Sequence, residues 1–140
     1  MASDTQYSPK VAQYNARDTV VTVNDFYLTG LGEDFVTGER QENFFEPAVG
    51  AMGDVVENET NNDLGTITLS LQATSPQLKT MLQYARSGEH FSIWCSNKSI
   101  GERFGGTNAR IVNYPSLEYG MEIAEREFEI TVFDYTVEPI

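Results

Sequence analysis

The chain contains few of the residues on which active sites and structural metal sites are built. Its 140 residues include one cysteine, Cys95, and one histidine, His90. A single cysteine excludes an intramolecular disulfide and any zinc cluster made of several cysteines. A single histidine leaves a Ser-His-Asp triad or a histidine metal site dependent on one residue. We therefore expect no metal site and no cofactor.

Basic residues and long apolar runs are also scarce. Nine Lys and Arg stand against 21 Asp and Glu, which gives a formal net charge of −12. Proteins that bind nucleic acid tightly use clustered Lys and Arg, and this chain has no such cluster. No apolar run approaches the ~20 residues of a membrane helix, and residues 1–5 lack the basic-then-apolar pattern of a secretion signal. We expect a soluble protein that does not bind a membrane and is made without secretion.

The pattern that is present is an alternation of apolar and polar side chains with the period of a β-strand. It is clearest in residues 66–73, where Ile67, Leu69 and Leu71 share one side. Further strands are predicted at residues 20–23, 26–29, 54–60 and 91–95. One long strand is predicted over residues 125–137, with Phe133 and Tyr135 on its polar side. Residues 30–34 and 97–108 contain glycines and are predicted to be loops.

One helix is predicted after the clearest strand. Ser75 is a suitable cap and Pro76 suits the first helical position, while Gly88 follows at a helix end. The apolar residues between them recur at helical spacing: Leu78, Met81, Leu82 and Ala85. We therefore expect a single, mainly β domain over residues 1–140, a β-sandwich or saddle of antiparallel sheets with one flanking α-helix.

The region around residues 36–52 has a weak local pattern and predicts a protruding arm. It is long and carries two adjacent aromatic residues, Phe44 and Phe45. Exposed aromatic side chains on an arm are common in protein interfaces. The alternative is that Phe44 and Phe45 belong to the core.

Candidate catalytic groups have simpler structural explanations. Cys95 lies beside Trp94 in an alternating strand, where a half-buried core thiol is expected rather than a nucleophile. His90 lies between the helix and a strand and is expected at the surface or as a cap. Residues 101–106 (Gly-Glu-Arg-Phe-Gly-Gly) lack the Lys-Ser/Thr of a P-loop.

Paired carboxylates occur at Glu57/Glu59 and at Glu127/Glu129, each pair two residues apart on one strand face. Acid–base catalysis needs two carboxylates whose pKa values are driven apart by different surroundings, and no pattern here indicates that. These pairs indicate an acidic surface. We expect that the protein is not an enzyme.

Several segments together resemble the tail tube (inner tube) proteins of contractile-tailed bacteriophages. They are residues 50–56 (Gly-Ala-Met-Gly-Asp-Val-Val), 61–69 (Asn-Asn-Asp-Leu-Gly-Thr-Ile-Thr-Leu) and 73–76 (Ala-Thr-Ser-Pro). Residues 14–30 and the Tyr119-Gly120 pair before the last strand are similar to that family as well. The order and spacing of these segments carry the resemblance, which spans nearly the whole chain.

The resemblance implies a phage tail-tube-like fold and a structural role. Copies of the chain would form hexameric rings that stack into an inner tail tube inside a contractile sheath. Phage DNA would pass through the lumen without specific binding. The implied partners are the chain itself, the tail sheath protein, and the baseplate and tail-terminator proteins. The implied location is the phage tail of the virion, assembled in the host cytoplasm.

The acidic composition fits this role, since carboxylates around a lumen would repel DNA phosphates. The candidate lumen-facing residues form the polar sides of two strands: Thr66, Thr68, Ser70, Gln72, Glu127, Glu129 and Thr131. The alternative is that these residues form a solvated outer face. The candidate inter-subunit arm residues are Arg40, Phe44, Phe45 and Val49.

Two other functions remain open at this point. One is a tube protein of a secretion or injection machine, which would share the fold and the stacking. The other, from a different class, is a monomeric β-sandwich that binds a carbohydrate or another small ligand. Its binding surface would be aromatic, built from Tyr114, Tyr119, Phe133 and Tyr135.

Overall fold

Antiparallel β-structure dominates the computed structural model, which describes residues 13–140. Its strands and its helix, in chain order, are β1 (Thr19–Val23), β2 (Phe26–Tyr27), β3 (Leu31–Arg40), β4 (Phe45–Val49), β5 (Val55–Glu59), β6 (Gly65–Leu71), α1 (Leu78–Ser87), β7 (Phe91–Asn97), β8 (Glu102–Ile111), β9 (Arg126–Val132) and β10 (Thr136–Pro139). The predicted fold class, mainly β with a single helix, is confirmed for this part of the chain. The interpretation of residues 1–5 lies outside the described residues.

Eight strands form one sheet, and two form a separate hairpin. The sheet follows the order β2-β1-β7-β8-β9-β6-β3, with β10 paired to β8 alongside this path. β4 and β5 pair only with each other. Neighbouring strands in the sheet are antiparallel.

The core lies on one side of the sheet. Residues Ile67 and Leu69 of β6 stand opposite Ile130 and Phe128 of β9, and all four side chains are fully buried. The helix α1 covers this side with Met81, and its other apolar residues pack at the edge of the same cluster. The apolar sides of the strands and of the helix are therefore buried against each other, as their spacing predicts.

Cys95 belongs to this core, as expected. Its side chain is buried, and burial raises the pKa of the thiol to about 12. The thiol is therefore protonated at neutral pH, and a protonated thiol is a poor nucleophile.

The helix begins later than predicted. It starts at Leu78, after Gln77 in the cap position, so the expectation that Ser75 caps it is wrong. The Ser75 hydroxyl instead donates to the Thr29 carbonyl at 2.6 Å, and the Thr29 amide donates to the Gln77 side chain at 3.0 Å. These residues fasten the start of the helix to the chain after β2. The predicted end at Gly88 is confirmed.

Both predicted loops contain strand. β3 begins at Leu31, and β8 runs from Glu102 to Ile111, so only the turn before β8 remains a loop. The glycines of β8 mark a close approach rather than a break. Gly105 has φ +143°, and a Cβ there would lie 2.0 Å from the Ile93 carbonyl oxygen, where the β7–β8 register shifts. Such a bulge accepts glycine and keeps the pairing.

The predicted long strand at the C-terminus is two strands separated by a turn. β9 ends at Val132 and β10 begins at Thr136. The Asp134 carboxylate accepts hydrogen bonds from the backbone amides of Thr107 and Asn108, each at 3.0 Å, and this holds the turn against β8. Because the turn changes the alternation, Tyr135 is buried rather than on the polar side. A Cβ at Gly65 would lie 2.2 Å from the Tyr135 ring, so the tyrosine needs glycine there.

Truncation at the centre of the core tests this packing. Phe128 of β9 is fully buried in the core, and we expect Phe128→Ala to lower the free energy of unfolding by about 3–5 kcal/mol. Urea denaturation measures the change. Phe45→Ala, at an exposed phenylalanine, should cost less than about 1 kcal/mol. Equal losses in the two variants would contradict the assigned core.

The Asp134 turn predicts a pH dependence of stability. Burial acts to raise the pKa of Asp134, but hydrogen bonds from the Thr107 side chain and from the Thr107 and Asn108 amides outweigh it, and the pKa is lowered. A lowered pKa contributes stability above the unfolded-state pKa, and this contribution is lost as the pH falls through the folded-state pKa.

The melting temperatures of the wild type and of Asp134→Asn should therefore differ most near neutral pH and converge under acid conditions. Thermal unfolding from about pH 7 to pH 2 measures this. Glu118→Gln, at an exposed carboxylate, should show no such convergence. A constant difference between wild type and Asp134→Asn across this range would contradict the role of the carboxylate.

Candidate functional site: a polar sheet face and an exposed hairpin

Most of the candidate lumen-facing residues lie together on the side of the sheet opposite the core. Thr66 pairs with Thr131, Thr68 with Glu129, and Ser70 with Glu127. Paired residues of an antiparallel ladder share a side. The remaining candidate, Gln72, follows the end of β6 and is exposed.

Neighbouring strands add residues to this side of the sheet that the sequence reasoning missed. Thr37 and Glu39 of β3 pair with Thr68 and Thr66, and Arg110 of β8 pairs with Thr131. These three residues and the six paired residues of β6 and β9 form one surface. We call this surface the polar face. The sequence predicts no strand across residues 38–40, and most of β8 falls within residues 97–108, which it predicts to be a loop. Alternation on both sides of the glycines in β8 is the signal that could have found Arg110.

The polar face carries more negative than positive charge. Its carboxylates are Glu39, Glu127 and Glu129, and its one cation is Arg110. The carboxylates are exposed, and Ser70 is the only one of the paired candidates that is buried. α1 packs on the core side of the sheet, and only its C-terminal Gly88 lies close to this face, next to the Arg110 guanidinium. A surface of this charge repels phosphate groups.

The second candidate surface is the hairpin, which we define as residues 41–60 with strands β4 and β5. Every residue from 41 to 59 is exposed. Phe44 is 70% exposed and Phe45 is 45% exposed, so the alternative that they belong to the core is wrong. A two-stranded hairpin is only marginally stable by itself in water, and a large exposed apolar surface marks a contact with another molecule.

The boundaries of this arm differ from those predicted. Residues 36–40 lie in β3 and pair with β6, so they are part of the sheet. The protruding segment extends instead through β5, which pairs with β4 from Phe45↔Glu59 to Val49↔Val55. The arm therefore begins later and ends later than the range 36–52. The sequence reasoning treated β5 as a strand apart from the arm because no feature linked it to β4.

Arg40 fastens the base of the hairpin. Its Nε donates to the Glu42 carbonyl at 2.9 Å, its Nη2 donates to the Asn62 carbonyl at 2.7 Å, and its Nη1 lies 3.3 Å from the Asp63 carboxylate. The guanidinium also lies 4.6 Å from the centre of the Phe44 ring. These contacts join both ends of the hairpin to one side chain, which is only 17% exposed.

A third exposed surface is the loop of residues 112–125 between β8 and β9. Arg126 anchors it, because this buried side chain donates to the Ala124 carbonyl at 2.9 Å and lies 5.4 Å from the centre of the Tyr119 ring. The loop exposes six large apolar side chains: Val112, Tyr114, Leu117, Tyr119, Met121 and Ile123. The sequence signal for this surface is the recurrence of apolar residues at every second position from Leu117 to Ile123, in a segment that forms no strand.

The aromatic residues of the ligand-binding alternative do not form one surface. Tyr135 is buried in the core, where its ring lies 6.3 Å from that of Phe104. Phe133 stacks on His90 at 5.5 Å, and His90 is also bound to Asn108 at 2.6 Å. The geometry therefore gives this alternative no aromatic platform.

Among the residues whose side chains the structure describes, no group of three or more His, Cys, Asp or Glu is placed to hold a metal ion. None of the described helices has both the length and the apolar character needed to span a membrane.

No protein-family model matches the chain, and no curated protein sequence matches it. Solved structures do match it over nearly the whole length. The cap of the anti-feeding prophage, a tube terminating cap, is 17% identical with a TM-score of 0.65, and the match covers 95% of this chain and 97% of that one. A chain of the PVC sheath–tube complex, from an extracellular contractile injection system, is 14% identical with a TM-score of 0.65 over 100% and 99% of the two chains.

The sheath/tube terminator of the same PVC system is 13% identical, with a TM-score of 0.57 over 94% of this chain and 99% of that one. The chain has the tube-protein fold. The fold that the sequence resemblance implies is thereby confirmed. Within the tube-protein fold, the roles of the polar face and of the hairpin stay predictions.

Loss of the Arg40 contacts should loosen the hairpin without unfolding the sheet. We expect Arg40→Lys to weaken the local protection of residues 41–60 by about 1–3 kcal/mol, because lysine cannot make the forked contacts of a guanidinium. Hydrogen exchange read by mass spectrometry measures this. Arg103→Lys, at an arginine paired with Glu138 away from the hairpin, is the matched control. Equal exchange of the hairpin in both variants would show that Arg40 does not hold it.

Proposed function

We propose that this chain is a non-enzymatic structural subunit that assembles with copies of itself into the inner tube of a contractile system. The observation that carries the proposal is the likeness in fold to tube-terminating and sheath–tube proteins over 94–100% of both chains. A likeness of this extent includes the sheet and α1 together. It therefore concerns the whole architecture rather than one motif.

The exposed surfaces support self-assembly. The hairpin presents Phe44, Val49 and Met52 to solvent, with exposures of 70%, 70% and 91%. The loop of residues 112–125 adds a second apolar surface on another part of the chain. Two different exposed apolar surfaces on one subunit allow heterologous contacts between copies. Such contacts close into rings or continue into filaments.

In the proposed assembly, six copies form a ring and rings stack head to tail, with the polar face lining the lumen. Six chains of −12 each carry about −72 formal charges, and the excess of carboxylates over Arg110 on the polar face gives the lumen its sign. DNA would then slide through without being bound. In a phage the sheath, baseplate and tail-terminator proteins would be the partners, and the virion tail, assembled in the host cytoplasm, the location.

A second candidate is the tube of an injection machine that delivers proteins instead of DNA. The solved structures with the same fold favour it, because two of them come from an extracellular contractile injection system. Purified tubes distinguish the candidates by their cargo. Nucleic acid protected from nuclease inside the lumen supports the phage tail, and protected protein supports the injection machine.

Self-assembly is tested directly with the purified chain. We expect rings or tubes by negative-stain electron microscopy, and a concentration-dependent rise in mass by light scattering, because the exposed apolar surfaces are buried on assembly. A stable monomer at every accessible concentration would refute the proposed function.

Val49→Glu should prevent this assembly while leaving the far-ultraviolet circular dichroism unchanged, since Val49 is 70% exposed. Ile100→Glu, at another exposed apolar residue in the turn between β7 and β8, is the matched control. If Val49→Glu assembles like the wild type, the hairpin is not part of the interface.

A further inference from the structure

The hairpin is acidic on its exposed surface. Residues 41–60 contain five carboxylates and no Lys or Arg. In the β4–β5 pairing, Glu59 stands opposite Phe45, Glu57 opposite Pro47, and Val55 opposite Val49. We call this side of the hairpin, with its apolar row and its two glutamates, the Glu57 side.

The outer face of α1 has the opposite charge. Lys79, Gln83 and Arg86 are exposed and follow one another at helical spacing, so they share one face. Among the helices and strands described within residues 13–140, α1 alone carries more than one charge with no acidic residue. We call this surface the basic helix face.

Four of the other described cations are less suited to receive an acidic partner, and the exposed Arg17 and Lys98 both lie beside the acidic Asp18, whose carbonyl accepts from the Lys98 amide at 3.4 Å. Arg40 pairs with Asp63, Arg103 pairs with Glu138, and Arg126 is buried. Arg110 lies on the polar face, on the strand next to that of Glu129, and its guanidinium lies close to Gly88 at the end of α1. Within the described part of the chain, Lys79 and Arg86 form no ion pair, so their charges face solvent.

The exposed loop of residues 112–125 is a less suitable receiver for the hairpin. It is apolar, but its charged residues are Glu118, Glu122 and Glu125, with no Lys or Arg. Docking an acidic hairpin there would bring like charges together, which disfavours an interface. The charge of the hairpin therefore favours docking on the basic helix face over docking on the loop of residues 112–125.

We propose that the hairpin of one copy docks through its Glu57 side onto the basic helix face of a second copy. This inference rests on the proposed self-assembly and names the two surfaces that meet. Lys79 and Arg86 are about 10 Å apart along the helix, and Glu57 and Glu59 are about 7 Å apart along the strand. Their long side chains span the difference.

The proposed contact has a direction. Each copy offers a hairpin and receives one on a different element, so the contact is heterologous and repeats from copy to copy. The apolar row beside the glutamates supplies contact area. The charges select the receiving surface and the register.

Charge reversal on each side, alone and together, tests the contact. Glu57→Lys/Glu59→Lys and Lys79→Glu/Arg86→Glu should each raise the critical concentration for assembly about tenfold or more, since attraction becomes repulsion at two positions. The four changes combined should restore it to within about threefold of the wild type. Sedimentation of tubes over a dilution series measures the critical concentration.

Glu42→Lys/Glu46→Lys is the matched control, because it changes the net charge equally while Glu46 lies on the other side of the hairpin. It should leave the critical concentration within about threefold of wild type. Should Arg86→Glu disturb the end of the helix, Lys79→Gln/Arg86→Gln removes the charges with less strain.

Failure of the combined variant to recover, or an equal loss in the matched control, would overturn this docking while leaving self-assembly established by the wild type. If the wild type itself does not assemble, the proposed function fails first. The docking predicts that each double variant raises the critical concentration for assembly and that the combined variant restores it.

Discussion

The pairing of β6 with β9 determines which side chains of this protein meet in the core and which reach its surface. Ile67 opposite Ile130, and Leu69 opposite Phe128, fix the register. A shift by one residue would move Thr68 and Glu129 into the core, so burial strongly specifies this register. The polar face therefore exists because the apolar side is buried, and its charge pattern depends on the same ladder.

The parts of the fold that depend on local alternation could be predicted from the sequence. The spacing of the apolar residues is enough to predict the strand at residues 66–71 and the buried side of the helix. β8 could not be placed in this way, because Gly105 has no side chain to continue the pattern and is needed where β7 approaches. Tyr135 was misplaced because the turn at Asp134 depends on amides of β8, which are distant in sequence.

The candidate surfaces show the same limit. The acidic and threonine-rich sides of β6 and β9 could be recognised from their own residues, whereas Arg110 joins them only through pairing with Thr131. Phe44 and Phe45 could be noticed but not placed, since apolar residues next to each other fit a core and an interface equally. The sequence predicts Arg40 as an inter-subunit residue, and its contacts at the base of the hairpin could not be predicted because they involve the distant Asn62 and Asp63.

The reactivity of the buried Cys95 thiol can be used to follow unfolding of the protein. Thiol reagents react with the thiolate, and a pKa of about 12 together with burial keeps that form scarce while the core is closed. Opening of β7 would return the thiol to water and to its ordinary acidity. Because the chain has no other cysteine, the rate of labelling would follow the opening of this one strand without background from elsewhere.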